Sequence, residues 1–435
     1  MDGTIKVILY YWIEKDLPEI KEREADLQEY LDILPGKIPV VTGFRRAGKS
    51  FIVYDLIKEL LKKYSKEEVI YINFNDERIP HDTRFLSDLI PTIRSTFDKK
   101  IRYLFLDEIQ EMPKWSKWLR RINDNEDIRI FVTGSSSKVS SREIPTELRG
   151  RALEIELYPL SFKEFLGFNE ISVNLKDISY RENELAILRR YLDIYLKYGG
   201  MPEVVLAPES LKIEILQDYY RTVVARDVVE RYDIKNEEAL KAMIRLLINS
   251  SHYSVSKMNN TLKSLGHRIG KTTMMNYIGY LSSSYFLHPI EIFSTKVKDS
   301  MQYQRKPYFI DNGFITALST RMGKDWGRKY ENCVAVELMR RGFGDELYYW
   351  KNDRGWEVDF VLRTEEEVKK LIQVCYDIDN IETKNREIRA LYNASRELGC
   401  EDLTIISRDT ESVENYMDVR IKVIPLWRFL LDKDQ

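Results

Sequence analysis

The eight residues Gly43-Phe44-Arg45-Arg46-Ala47-Gly48-Lys49-Ser50 constrain this chain more than any others. They fit the phosphate-binding loop pattern of a glycine, four residues, then Gly-Lys-Ser. The apolar run Ile38-Pro39-Val40-Val41 stands before them, and Phe51 to Ile57 follows with helical spacing. A strand, a glycine loop and a helix N-terminus in that order turn backbone N–H groups and the positive end of the helix dipole toward an anion. In such a loop Lys49 is expected to reach the β- and γ-phosphates of ATP, and the Ser50 hydroxyl to ligate Mg2+. Gly43, Phe44, Arg45, Arg46, Ala47, Gly48 and Phe51 complete the expected nucleotide cradle.

A second signal stands downstream. Tyr103-Leu104-Phe105-Leu106-Asp107-Glu108 reads as a buried strand ending in two acids. Phosphoryl transfer needs a metal anchor and a water-positioning group side by side. Asp107 is expected to hold Mg2+ through its water shell, and Glu108 to orient the attacking water. Further apolar runs at Val69–Phe74, Ile128–Ser135 and Ala152–Leu157 alternate with amphipathic stretches such as Trp115–Ile122. Strands alternating with helices imply a parallel sheet with right-handed crossovers. The arrangement suggests the subclass in which another strand separates the loop strand from the acidic strand. In that subclass a polar residue on the neighbouring strand, here either Thr133 or Ser135, would sense the γ-phosphate, although Ser135 also suits a plain turn. Arg151 reads either as a finger toward a neighbouring subunit's nucleotide or as a surface charge.

Composition narrows the class. The chain has 435 residues, 43% hydrophobic and 32% charged, with a net charge of -2. That length suggests two to four domains, and the charge supplies no global basic field for nucleic acid, leaving only local faces. Three widely spaced cysteines, Cys333, Cys375 and Cys400, argue against a disulfide framework or zinc site and suit a reducing, cytoplasmic setting. No run is long and apolar enough for a membrane span, and Lys6 interrupts the N-terminal apolar patch.

These motifs resemble an AAA-type ATPase family of prokaryotes, abundant in archaea, that carries a C-terminal domain of unknown function. The resemblance rests on Gly43 to Ser50, Leu106 to Gln110, Thr133-Gly134-Ser135, Gly150-Arg151, Tyr158 to Phe162, Tyr198-Gly199-Gly200-Met201-Pro202 and Arg226-Asp227. The Gly-Gly-Met-Pro segment is similar to the lid element of signalling and origin-initiator ATPases, which implies that Pro202 lies near the nucleotide. Glu203 stands where an initiator's second sensing arginine often follows, so Arg221 or Arg226 would have to serve instead. The same segment also reads as a helix-ending turn.

Further along, helices are expected over Glu238–Ser250, Ser254–Lys263 and Lys271–Ile278, with a turn at Gly266. This is helix-turn-helix spacing. Apolar strands at Ile290–Phe293 and Tyr308–Ile310 follow, with Lys296, Lys298, Arg305 and Lys306 making a basic hairpin. The pattern reads as a winged helix in which Lys257, Lys263, Arg268, Lys271, Asn276, Lys296 and Lys298 meet DNA, or as a winged fold used for protein packing. Gly266 to Thr272 imitates a phosphate loop, but three residues separate its glycines and a helix precedes it.

The last third runs helix (from Glu331), paired strands (Leu347–Trp350, Glu357–Leu362), strand (Leu371–Tyr376), helix (Arg386–Leu398) and a last strand (Leu403–Ile406). That order is similar to the restriction-endonuclease-like fold. The resemblance implies that Glu331 and Asp359 are metal ligands, with Glu357 a rescuing third. Gln373-Val374-Cys375 stands where that fold carries Glu-x-Lys, which implies a broken nuclease.

The fold expected is therefore α/β. It comprises an N-terminal helical segment (1–36), a P-loop parallel-sheet ATPase core (37–157), a helical lid (158–235), a winged helix (236–310) and a nuclease-like α/β domain (311–435). Periodicity places the first helix at roughly 14–34. The expected function is Mg2+-dependent ATP hydrolysis to ADP and phosphate, coupled to DNA binding or remodelling. Two rivals are a nucleotide switch acting through protein partners or a homo-oligomer, and an ATP-gated nuclease.

Overall fold

A computed structural model describes residues 2–31, 36–135, 148–174, 178, 181–294, 303–320, 325–364 and 367–432. The chain divides into two units, residues 1–158 with 283–285, and residues 159–282 with 286–435.

In the first unit, the short apolar runs become strands buried on both faces, as parallel sheets require. They are β1 (Ile38–Thr42), β2 (Val69–Asn73), β3 (Tyr103–Asp107), β4 (Arg129–Thr133) and β5 (Ala152–Glu156). Their order is β2-β3-β4-β1-β5, and every pairing is parallel. β4 thus lies between the loop strand and the acidic strand. The edge strand β5 is only half-buried, in keeping with its alternating sequence. Because parallel neighbours need crossovers, helices α2 (Lys49–Leu60), α3 (Thr83–Thr96) and α4 (Trp115–Asn125) connect them. Asp82 caps α3 by accepting from the Arg84 N–H.

The N-terminal helix departs from expectation. Helix α1 spans Asp2–Glu14 and buries Ile5, Ile8, Leu9 and Trp12. The Trp12 indole donates to Val69 O at 2.9 Å. Residues 15–27 are not helical, and only a short turn, Gln28–Tyr30, follows. Pro18 disfavours helical geometry at Leu17. The apolar residues that mimicked helical spacing, Leu17, Ile20, Ala25, Leu27 and Leu31, instead pack on the sheet core from a non-helical strap.

The second unit opens with helices α5 (Phe162–Phe168), α6 (Glu182–Tyr198), α7 (Pro202–Leu206) and α8 (Glu209–Thr222). A reciprocal Ser161–Glu164 capping box starts α5. A π-helical segment, Val223–Glu230, continues α8. Then come α9 (Glu237–Ile248), α10 (Val255–Ser264) and α11 (Lys271–Ser283). Ser254 caps α10, and Gly266 turns the chain at φ +89°. The antiparallel pair β6 (Leu287–Ile290) and β7 (Lys306–Phe309) follows, with α12 (Asn312–Leu318) and α13 (Trp326–Leu338) behind it.

A mixed sheet completes this unit: β8 (Leu347–Lys351), β9 (Glu357–Thr364), β10 (Glu367–Cys375), β11 (Leu403–Ser407), β12 (Ser412–Tyr416) and β13 (Val419–Pro425), in the order β12-β13-β11-β10-β9-β8. β8, β9 and β10 pair antiparallel, whereas β10, β11 and β13 run parallel. Helix α14 (Ile381–Leu398) makes the crossover from β10 to β11, and α15 (Leu426–Leu431) closes the chain. β12 and β13 extend the sheet past the strand at Leu403, where the sequence pattern stopped.

Candidate functional site

The nucleotide cradle is shaped by its glycines. Gly43 has φ +131°, and a Cβ there would stand 2.2 Å from Leu157 O. No side chain fits that approach. Gly48 takes a left-handed conformation (φ 105°, ψ 17°) as N-cap of α2, which leaves the first helical turn without a side-chain cap. Arg46 adopts φ 68°, uncommon for a residue with a Cβ. Lys49 is buried and donates to Gly43 O at 3.1 Å and Phe44 O at 3.2 Å. Phe44 and Ala47 are wholly buried, whereas Phe51, on the first turn of α2, is exposed.

β3 delivers the acids to this loop. The Asp107 carboxylate accepts from Ser50 Oγ at 2.7 Å, from Tyr71 OH at 2.6 Å and from the Thr133 hydroxyl. Thr133 Oγ1 in turn accepts from the Glu108 N–H at 3.1 Å. The Glu108 carboxylate accepts from the Ser135 N–H at 3.1 Å and from the Gln110 amide, and lies 3.9 Å from Lys49 Nζ. Ser135 Oγ is buried and has no hydrogen-bond partner among the described residues.

The two acids differ electrostatically. Burial, with Glu108 adjoining, pushes the Asp107 carboxyl above the usual carboxylate range, against the three hydroxyls that donate to it. Burial also acts to raise Glu108, but Lys49, Gln110 and Arg45 outweigh it and hold that side chain below its ordinary value. Glu108 is thereby kept anionic. A hydroxyl 2.7 Å from a carboxylate oxygen is an all-oxygen donor pair of the kind Mg2+ takes, so Ser50 and Asp107 fit that ion.

Sequence reasoning missed three contributors. Tyr71 sits on β2, and its hydroxyl, which also accepts from Tyr54 OH at 3.0 Å, orients Asp107. A tyrosine inside a buried strand signals a hidden polar partner for its O–H. Lys15 reaches Tyr54 OH at 2.9 Å. Arg23, on the N-terminal strap, donates to Ala47 O at 2.9 Å and Tyr158 O at 3.0 Å, holding the loop from behind.

The Arg151 guanidinium is paired with the Asp124 carboxylate at 3.1 and 3.2 Å. Pro202 belongs to the second unit, at the first position of α7. The glycines before it have a local reason. A Cβ on Gly199 would fall 1.6 Å from Asp311 Oδ1, and one on Gly200 would fall 2.3 Å from Leu160 O. Asp311 accepts from the Gly200 N–H at 2.6 Å and the Gly313 N–H at 2.7 Å, and burial pushes its carboxyl up to about 7. Lys257, Lys263, Arg268, Lys271 and Asn276 are all exposed on α10, α11 and their connecting turn. Lys296 and Lys298 lie outside the described residues.

A second polar centre forms in the C-terminal sheet, and it corrects two expectations. Glu331 on α13 and Glu357 and Asp359 on β9 do come together, but around an ammonium. Lys306 Nζ lies 3.0 Å from Glu331 Oε1, 3.0 Å from Glu357 Oε1 and 2.7 Å from Asp359 Oδ1. Lys306 is 2% exposed, so it is no part of a basic surface hairpin. Among the described residues, no group of three or more His, Cys, Asp or Glu side chains is placed to hold a metal ion. Gln373 accepts from the Asp359 N–H at 3.1 Å and donates to Glu387 at 2.7 Å. Although burial acts to lower the Lys306 amine, Asp359 and Glu331 hold it well above its ordinary value.

A P-loop, an acidic strand end and an inserted strand in the order β2-β3-β4-β1-β5 define an AAA-type ATPase module, and an "AAA domain" family model matches residues 35–166. The chain is 38% identical to uncharacterized protein MJ1544 of Methanocaldococcus jannaschii, over 98% of this chain and 96% of that one, and it belongs to that protein's family. An uncharacterized protein of Haemophilus influenzae is 30% identical, over 78% of this chain and 83% of its own length. Two domains of unknown function, DUF8612 and DUF4143, match residues 189–325 and 326–429. Among solved structures, the Walker-type ATPase PABY2304 of Pyrococcus abyssi is similar at a TM-score of 0.42 and 13% identity, over 70% of this chain and 99% of that one. Among the described residues, no helix is long and apolar enough to cross a membrane.

Proposed function

We propose that this protein is a Mg2+-dependent ATPase whose turnover is coupled to DNA through its second unit. The observation that carries the reading is the connected set Ser50–Asp107–Thr133–Glu108 beside Lys49. In this reading Lys49 leaves the loop carbonyls to bind the β- and γ-phosphates. Ser50 and Asp107 would hold Mg2+, which when bound would supply positive charge to the phosphate oxygens. Glu108, kept anionic, polarises the attacking water. Thr133 fixes both acids from the inserted strand, and the buried Ser135 hydroxyl is the candidate for sensing the γ-phosphate. Arg151 is tied to Asp124 and serves as a finger only after release from it.

The DNA arm rests on the helix–turn–helix order of α10, the Gly266 turn and α11, together with the exposed cations they carry. The mixed sheet with α13 and α14 is read as a nuclease-like scaffold that binds without cutting.

The test is ATP hydrolysis with and without duplex, single-stranded and branched DNA. Lys49→Ala is expected to lower turnover by at least about 100-fold. Stimulation by a DNA form, lost in that variant, is expected. Slow, DNA-indifferent turnover would overturn the DNA arm and favour a switch acting through protein partners.

A further inference from the structure

We propose that Lys306 is a built-in cation that takes the place of a divalent metal ion in the C-terminal centre. This does not depend on the ATPase reading, because it concerns only α13, β7 and β9. Three carboxylates pressed together repel one another and require a counter-charge. Glu331, Glu357 and Asp359 find it in a single ammonium within 3.0 Å of all three. An ammonium carries three donors, matching the three acids in number.

Further contacts engage these carboxylates beyond the ammonium. Asp359 Oδ2 accepts from the Val374 N–H at 2.9 Å. Glu357 lies 3.0 Å from both Lys351 Nζ and His252 Nε2. Glu331 accepts from Tyr308 OH at 2.6 Å. Gln373 spends its amide on Asp359 N–H and Glu387. The lysine missing from position 375 has therefore a counterpart on β7, seated at the point where the carboxylates converge. The carboxylates open on a cleft of about 500 Å3 that also includes Trp356 and Arg354, so an ion has access to them. What opposes metal binding is the resident positive charge.

The experiment measures Mn2+ bound by the full chain without nucleotide, by electron paramagnetic resonance, together with the melting temperature with and without Mn2+. The wild-type chain and its Asp359→Asn variant are expected to bind the same amount of Mn2+, with no Mn2+-dependent rise in melting temperature that Asp359→Asn removes. Lys306→Ala is expected to melt lower, bind an additional Mn2+ and regain melting temperature when Mn2+ is added. Lys306→Ala combined with Asp359→Asn is expected to lose both gains. Loss of bound Mn2+ when Asp359→Asn is made in the wild-type chain would overturn the proposal, and this comparison holds even if Lys306→Ala fails to fold. A folded Lys306→Ala protein that gains no Mn2+ would overturn it too.

Discussion

Thr133 shows how one side chain can serve two acids. Its hydroxyl donates to Asp107 and accepts from the Glu108 backbone, so Thr133→Val removes both contacts at nearly constant volume. Turnover is expected to fall by about 10- to 100-fold while ATP affinity, measured by equilibrium titration, changes little. Asp311 gives a different single-residue expectation. Its folded value of about 7 lies above the usual carboxylate range, so the folded state binds this proton more tightly than the unfolded chain. The resulting stability is full below about pH 4, is lost as pH rises toward 7, and amounts to at most a few kcal/mol, on the order of what linkage gives for such a shift. Asp311→Asn is expected to flatten part of this pH dependence, as read by chemical denaturation at a series of pH values.

Among elements, strands that bury both faces gave the plainest signal, while β5 was read from its alternation. β1 to β4 each announced themselves as continuous apolar runs, and the Gly43–Ser50 loop is a pattern that few other structures tolerate. Its constraint can be tested. Gly43→Ala places a Cβ against Leu157 O and forces a left-handed alanine, so it is expected to cost more than about 2 kcal/mol in thermal or denaturant unfolding and to abolish ATP binding. The strap after α1 misled because apolar residues at helical spacing can also pack from an irregular chain once proline forbids the helix. β12 was missed because it alternates half-buried and exposed residues with a weak apolar signal. Glu331, Glu357 and Asp359 were legible as a set. Their partner Lys306 was not, because sequence distance hides which strand supplies the charge, and a lysine among basic neighbours reads as surface.

For the whole molecule, the proposed division of labour between ATP chemistry and DNA contact is testable. The P-loop and the acids Asp107 and Glu108 belong to the first unit, whereas the exposed cations of α10 and α11 belong to the second. Lys257→Glu with Lys271→Glu is expected to remove DNA stimulation and reduce the salt dependence of DNA binding, while DNA-free ATP hydrolysis stays at the wild-type rate. A fall in the DNA-free rate would instead show that these lysines support the fold or the nucleotide site. The N-terminal strap belongs with the catalytic module for the same kind of reason, since Arg23 reaches the loop through Ala47 O.

The position of Lys306 also decides where this chain can be cut. A fragment begun at residue 311, at the edge suggested by the sequence pattern, would carry Glu331, Glu357 and Asp359 away from the strand that neutralises them. It would lose Tyr308 as well, and Phe309, whose backbone the Asn332 side chain grips at 2.7 and 3.0 Å. The practical unit of the C-terminal sheet therefore begins before β7. The strand that read as part of a wing pairs with β6, yet through Lys306, Tyr308 and Phe309 it must travel with the sheet that follows.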